Sequence, residues 1–540
     1  MNLIFYNGKI VTMDPDLPIA EAVSVKDGGV EAVGAKEPVL AGKTAQSELI
    51  DLKGRMLLPG LNDSHMHLTN YALTLSKVDL RFCEDINDLV NKIKTFIRQH
   101  EPGRGEWVLG WGWNHSKYGE GRMPDRDDLD KATIDSPLVI VRTCCHIAVA
   151  NTRALELAGL DQAARAIEGG EVETDRSGRP NGILKESAMQ LVMDLIPPAD
   201  KNKIKDLIKT AGRDFLSAGL TSVQTDDLYA LGSEKLEELL DAYQELENEG
   251  NMPLRVNFQP QLMSMDRLKA FLELGKTTGW GSDYFRIGPL KLFTDGSMGG
   301  RTALLSSPYN DDPENCGVPV LPRESFYELV CLGHREGMQV ACHAIGDAAI
   351  NMVLDAYSHA QSLYPRTDPR FRVVHASLAD PASLERFREL NVIADIQPSF
   401  IASDYDLLEK IFGAERAGWA YRWQDFIEAG IHLAGSSDCP VENYHPLEGI
   451  AVAVTRQDLE GRPEGGWFPD QRLSLDQALQ LYTTGSAYCT YEEDRKGSIS
   501  PGKLADLVVL AEDIYKVAPL EISSIPVDMT VVGGEIKFIR

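Results

Sequence analysis

Between residues 59 and 494 short apolar runs alternate with amphipathic helical stretches, and this alternation limits the chain to a parallel, helix-covered architecture. The apolar runs read LLPGLNDSH, GLTSVQTDD, LRVNFQPQL, FRIGPLKLF, MQVACHAIG, FRVVHAS, VIADIQPSF and IHLAGSSD. Stretches such as SEKLEELLDAYQELENEG and PASLERFREL separate them. Parallel strands need crossovers of about a dozen residues or more, usually helical. Eight such units predict an α/β fold of the TIM-like (β/α)8 barrel type.

Two parts of the chain depart from this rhythm. Residues 1–58 and 495–540 carry short alternating runs (LIFYNGKIVTM, AVSVKDG, ADLVVLA, VDMTVVGG, EIKFIR) separated by Asn-Gly and Asp-Gly-Gly turn signals. Neither end has enough strand to close a sheet alone, so the two are expected to pair as one composite β-sandwich domain. The interval between the first and second barrel runs is about 150 residues, longer than an ordinary crossover. It holds the helical pattern DINDLVNKIKTFIRQH and the strand patterns EWVLGWGW and PLVIVRTC. An inserted α+β subdomain is expected there, at about 76–200, lying over the barrel mouth.

Composition excludes several function classes. A formal net charge of -27 with no basic run repels phosphate backbones and anionic membranes, so neither nucleic acid nor membrane is an expected partner. The eight cysteines are scattered without a C-x-x-C pair and read as reduced residues rather than a disulfide framework. The N-terminal stretch lacks a signal-peptide pattern, and no apolar run reaches the ~20 residues of a membrane span. A cytoplasmic protein acting on a small molecule is expected; a homo-oligomer is compatible with the sequence.

The chemistry concentrates at the ends of the predicted strands. His65 and His67 follow the first apolar run, and residues two apart on an extended chain face the same side. Alone, H-x-H is a weak signal. Here His343 closes the fifth run, His375 the sixth and Asp438 the eighth. In a (β/α)8 barrel all these ends converge on one face, where active sites sit. Imidazole and carboxylate ligands suit Zn²⁺, with Fe²⁺, Mn²⁺ or Ni²⁺ as alternatives. No G-x-G-x-x-G, P-loop or G-x-S-x-G motif is present, which leaves nucleotide binding and serine hydrolysis unsupported.

The stretch PGLNDSHMHL, the later single histidines and the aspartate of SSDCPV resemble the metal-dependent amidohydrolase superfamily. GWGWNHSKY, LKLFTDGSMGGRTALL and CHAIGDAAINMVLDA make the chain similar to the amidohydrolase family 3 branch, which includes N-substituted formamide deformylase-like proteins. The resemblance spans nearly the whole chain. It implies His65, His67, His343, His375 and Asp438 as metal ligands, holding one or two ions, and Asp438 as the catalytic acid–base. It also implies that Lys291, on the fourth run, is carboxylated and bridges two metals. An unmodified ammonium cannot ligate; the alternative is a lysine paired with Asp295 or another barrel carboxylate. Glu186 either approaches the metal from the insertion or is a helix-start carboxylate after a turn, the latter preferred.

Substrate contacts are expected from Trp113, His146 and Arg301. Trp111, Trp113 and His115 either wall an apolar pocket or form a small core. His146 matches a histidine position of the family and is either a substrate contact or a satisfied core residue. Arg301 follows the glycine-rich TDGSMGG loop and either clamps a substrate oxygen or stabilises that loop. Cys342 and Cys439 should pack in the core, and Asp347 should orient a neighbouring ligand or cap a helix.

The reaction implied is hydrolysis of a carbon–nitrogen bond, amide or N-formyl. The same site could instead hydrolyse an ester, lactone or cyclic amide. Deamination is weakened by the absence of an H-x-x-E pattern after His343. A catalytically silent barrel used for binding is the alternative of a different class.

Overall fold

The computed structural model describes residues 2–103, 105–115, 118–144, 146–162 and 169–540. The chain is a mixed α/β protein that divides into two compact units, one of residues 1–70 with 204–540 and one of residues 71–203.

In the first unit the two chain ends share a mixed eight-stranded sheet. The short strand Met56–Pro59 joins them. It lies parallel to Asn2–Val11, with Ile10 opposite Leu57, and antiparallel to Leu507–Leu510, with Val509 opposite Leu57. Hydrogen bonding makes this one continuous sheet rather than two separate ones. Leu3, Phe5, Val23, Leu57, Leu507, Val509 and Val531 gather from strands of both ends into a single apolar cluster.

The parallel strands follow the predicted runs, with two differences. The start of the run LLPGLNDSH belongs to Met56–Pro59 of the terminal sheet, and only Leu61–Met66 joins the parallel strands. The run FRIGPLKLF is two strands, Phe285–Ile287 and Leu290–Phe293. Pro289 has no N–H to offer a ladder. A side chain at Gly288 would meet Asn257 Oδ1 at 2.0 Å, so only glycine fits beside the neighbouring strand. The break leaves a four-stranded parallel sheet ending at Phe285–Ile287 and a five-stranded one starting at Leu290–Phe293.

Main-chain bonds nevertheless run across both gaps. Lys291 N donates to Pro260 O at 2.9 Å. On the other side, Asp438 N donates to His65 O at 2.9 Å and His67 N to Cys439 O at 2.8 Å. The strands Leu61–Met66 and Leu433–Gly435 are thereby linked through the segments that follow them.

The second unit has a six-stranded sheet in the order Gly170–Thr174, Pro180–Glu186, Ile147–Ala150, Leu138–Arg142, Val108–Trp113, Val78–Asp79. The helix Ile86–His100 is capped by Asp85, whose side chain accepts from Asp88 N. Its apolar face, Leu89, Val90 and Ile93, packs with Trp113, Leu129 and Ile140. No helix among the described residues is long and apolar enough to cross a membrane.

One buried ion pair ties the two sheet systems of the first unit together. Arg255, on a parallel strand, donates to Asp506, just before the terminal-sheet strand Leu507–Leu510, with Nε–Oδ2 2.6 Å and Nη2–Oδ1 2.9 Å. Both side chains are buried, at 3% and 4% exposure. Removing one partner strands a charge in the interior, so Asp506→Ala is expected to cost about 3–5 kcal/mol, seen as an earlier urea midpoint. The double variant Arg255→Met/Asp506→Leu should recover most of that loss; an unshifted midpoint in the single variant would show that the pair contributes nothing.

Candidate metal centre

The strand Leu61–Met66 delivers His65 at its last turn of pleat and His67 just beyond it, both facing one side. The segment after Leu433–Gly435 brings Asp438 to the same point, in a left-handed conformation with φ 55°. Asp438 Oδ1 lies 3.4 Å from His65 Nε2 and 3.1 Å from His67 Nε2. The three ligand atoms lie within 4.8 Å of one another, and all three residues are buried. His375 continues the cluster, its ring centroid 5.8 Å from that of His65, and His343 follows at 4.4 Å from His375.

Each ring is held from behind. His65 Nδ1 is 3.1 Å from Gln259 Oε1, His67 Nδ1 is 2.8 Å from Asp226 O, and His375 Nδ1 is 2.7 Å from Gln397 Oε1. An oxygen acceptor at Nδ1 keeps the proton there and leaves the Nε2 lone pair pointing forward, the usual support of a metal-binding histidine. Gln397 is itself fixed by donating to Ser436 Oγ at 2.7 Å. His343 is turned the other way: Nε2 lies 3.0 Å from Gly296 O, which leaves Nδ1 as its available donor atom.

Electrostatics favour ligation. Burial pushes His65 down to about 3, aided by the charge of Lys291. Burial likewise holds His343 and His375 below the usual imidazole range, so both are neutral with free lone pairs. Burial alone would raise the Asp438 carboxyl, but its contacts with the His65 and His67 rings hold it well below the usual carboxylate range. His67 runs the other way: burial would lower it, but the hydrogen bond and charge of Asp438 raise it above the usual imidazole range. An anionic carboxylate among imidazoles is a donor set that suits a divalent ion.

Lys291 is fully buried, and its Nζ has no hydrogen-bond partner among the described residues. It stands 3.8 Å from the centroid of Phe293, and burial lowers its basicity. Of the expected alternative pairings, the one with Asp295 is corrected: Asp295 instead accepts the main-chain N–H groups of Leu304, Ile345 and Gly346 at 2.8–3.1 Å. An orphaned, weakly basic amine beside two carboxylates, Asp226 and Asp438, fits a group that is modified or neutral when the site is filled.

The cluster forms the floor of a cavity of about 570 Å³, within the usual range for small-molecule sites.

Over residues 48–538 the chain matches the amidohydrolase family. It belongs to that family. The putative amidohydrolase YtcJ of Bacillus subtilis is 31% identical over 100% of this chain and 99% of its own. An N-substituted formamide deformylase of Arthrobacter pascens is 27% identical over 100% and 98%. Among solved structures, an uncharacterized metal-dependent hydrolase from Pyrococcus furiosus superposes with a TM-score of 0.78 at 32% identity, covering 96% of this chain and 100% of that one. The resemblance read from the motifs is therefore family membership.

Three of the expected amidohydrolase substrate contacts look different in the structure. Trp113 is a correction: it is fully buried in the core of the second unit, where Nε1 donates to Ile140 O at 3.3 Å. His146 is exposed and pairs with Glu186 at 3.0 Å within the same unit. Arg301 is engaged bidentately by Asp311, at 3.1 and 2.7 Å, so its guanidinium braces its own loop. Cys342 and Cys439 are buried. Asp347 starts the helix Asp347–Leu363 and accepts from Ser306 N at 3.1 Å.

Gln259, Gln397 and Asp226 are the residues that sequence reasoning passed over. A signal exists for the glutamines: each ends its strand in a Gln-Pro pair, FQP and IQP. Gln397→Leu removes the acceptor behind His375. Metal affinity is expected to fall about 10–100-fold, measured by competition with a chromophoric chelator; unchanged affinity would make Gln397 a packing residue only.

Proposed function

We propose that this amidohydrolase-family protein hydrolyses a carbon–nitrogen bond, an amide or N-formyl group, of a small molecule in the cytoplasm. The observation that carries the reading is the convergence of His65, His67 and Asp438 within 4.8 Å at the floor of the cavity. In this reading the nine parallel strands close as a (β/α)8 barrel, with the broken run counted once and the main-chain bonds of Lys291 and Asp438 as its seams. Residues 1–58 with 495–540 form the composite β-domain, and about 76–200 the inserted subdomain.

His65, His67, His343, His375 and Asp438 would hold the metal, zinc by the chemistry of the donors, and a carboxylated Lys291 would add the oxygens that bridge a second ion. A divalent ion there supplies Lewis acidity, lowering the pKa of water toward about 7 and polarising a carbonyl oxygen. The chain's own part is proton transfer and positioning. Asp438 Oδ1 is turned to the two histidines, so Oδ2 takes the proton of the attacking water. As the C–O bond forms and the C–N bond breaks, that proton passes to the leaving nitrogen, giving a carboxylic acid and an amine. The glutamines behind His65 and His375 keep the rings from turning during the cycle.

Asp438→Asn keeps an oxygen toward the histidines but cannot accept the proton. Turnover of N-formyl and amide substrates should fall about 10²–10⁴-fold while much of the metal remains bound; retained activity would remove Asp438 from the acid–base role. Mass spectrometry of protein expressed with zinc and bicarbonate tests the bridge. Two ions per chain, dropping in Lys291→Ala, is the expected result; one ion in both would make the centre mononuclear. Protein that purifies metal-free and takes up none would favour the silent, binding-only reading, and ammonia released from an aminated ring would favour deamination.

A further inference from the structure

Beside the metal cavity lies a second one of about 430 Å³, and Tyr229 is a wall of both. The second cavity is built by the segments that follow two neighbouring parallel strands, Leu220–Thr225 and Arg255–Phe258. The same segments begin with the groups that support the centre, Asp226 O behind His67 and Gln259 Oε1 behind His65. Farther along, the first segment brings Tyr229 and Ser233 to the second cavity, and the other brings Gln261, Ser264 and Arg267. Gln261 is also the main-chain bridge partner of Lys291. The Tyr229 ring centroid is 5.1 Å from that of His67, so the second cavity begins one aromatic ring away from the metal ligands.

The two cavities carry opposite charge. Asp295, Asp404, Asp438 and Glu442 line the metal cavity, and no lysine or arginine does among the described residues. In the second cavity Arg267 is the one charged residue among the described lining, which includes no Asp or Glu. Arg267 stands in the first turn of the helix Met265–Glu273, which Ser264 caps by accepting from Arg267 N at 3.4 Å. Its guanidinium makes no ion pair and no hydrogen bond with the described residues. The chain has 54 basic residues against 81 acidic ones, so a basic side chain ordinarily finds a carboxylate. Arg301, Arg370 and Arg372 do so, on Asp311, Glu493 and Asp395. Arg267 is left free in a cavity next to the centre.

The wall between the cavities is apolar and open. Tyr229 is 60% exposed, although it packs against His67 and, at 6.3 Å between centroids, against Phe293. A large ring left this exposed beside a cavity regains apolar contact when a hydrocarbon chain lies across it. A ligand that starts at the metal cluster and crosses Tyr229 arrives at Arg267. The guanidinium offers two parallel N–H donors that match the two oxygens of a carboxylate. The amide of Gln261 and the hydroxyl of Ser233 supply further donors on the same lining.

We propose that the second cavity is a carboxylate subsite, in which Arg267, flanked by Gln261 and Ser233, holds the anionic end of a substrate whose scissile amide lies at the metal cluster and whose apolar chain crosses Tyr229. The inference rests on the hydrolase reading for the scissile end only. A carboxylate is preferred to a phosphate: the net charge of -27 repels every anion, and it repels a dianion about twice as strongly as a monoanion.

The test is equilibrium binding of two non-hydrolysable ketone probes, 7-oxooctanoate and its neutral isostere 7-oxooctanamide, by calorimetry on the metal-loaded protein at pH 7. The acid is expected to bind about fivefold tighter, the size of a well-made exposed ion pair. Added salt should reduce that advantage. Arg267 is exposed, so its substitution leaves the fold intact: in Arg267→Gln the ratio of the two affinities should fall to about one, and Arg267→Lys should keep part of it. Equal affinities in the native protein overturn the subsite, whatever the turnover assays show. A preference for the acid that survives Arg267→Gln overturns it too, because the carboxylate is then bound by the metal. Tighter, Arg267-dependent binding of (6-oxoheptyl)phosphonate would overturn the choice of carboxylate. An Arg267-dependent preference for 7-oxooctanoate without hydrolysis of the matching amide, 5-acetamidopentanoate, or of its N-formyl counterpart would keep the subsite and sink the hydrolase reading instead.

Discussion

The carboxylate of Asp63 is the interaction on which the centre depends. It is completely buried, and it accepts from His65 N at 3.1 Å, from Ser437 N at 3.1 Å and from Ser437 Oγ at 2.6 Å. Those donors belong to the first parallel strand and to the segment after the last one, separated by 374 positions in the case of Ser437. One side chain therefore clamps the two stretches that carry His65, His67 and Asp438. Burial pushes this carboxyl up to about 8, a measure of how little solvent reaches it. A group so desolvated is tolerable only with its hydrogen bonds made. The bonds hold the two stretches together, and the cost of leaving them unmade gives the arrangement its rigidity.

A second polar layer lies directly beneath. Arg372 is fully buried, donates to Gln224 Oε1 and to Ser64 O, each at 2.7 Å, and pairs with Asp395. Ser64 Oγ in turn donates to Asp395 Oδ1 at 2.6 Å. Four parallel strands contribute to this layer. A one-residue slip of any strand would turn its polar member to the opposite face and leave the others unsatisfied. The layer therefore sets the level at which each strand ends, and the imidazoles of His65 and His375 emerge at one height because Ser64 and Arg372 are pinned below them.

The features legible in the sequence and those hidden from it differ for the same physical reason. Period, strand ends and histidine positions are local, so the runs ending at His65, His343, His375 and Asp438 could be read directly. The break at Gly288-Pro289 was also written locally, although the apolar run around it masked it. Partnership is not local. Nothing near Trp113 says that Leu89 and Ile140 will enclose it, and nothing near Lys291 says that Asp295 will be claimed by the N–H groups of Leu304, Ile345 and Gly346. Asp311, only ten positions from Arg301, was within reach of a loop-based reading, and it is what occupies that guanidinium. The Gln-Pro pairs are an intermediate case: local in pattern, yet meaningful only once the rings of His65 and His375 are known to stand in front of them.

Floor and wall of the cavity are built by different means, and this separates chemistry from selectivity. The floor residues sit on strand ends fixed by Asp63, by the Arg372 layer and by the glutamines, so a change in any of them disturbs several hydrogen bonds at once. The wall comes from the loop around Gly296–Met298, from the start of the helix Phe400–Ala417 and from the stretch around Val441–Glu442. There each side chain has one or two partners, such as Tyr421 for Asp404 and Ser403 for Glu442. Substitution in the wall therefore leaves the floor's bonds intact. The cavity thus sets acidic wall residues, Asp404 and Glu442, over a floor of histidines held by hydrogen bonds from several strands.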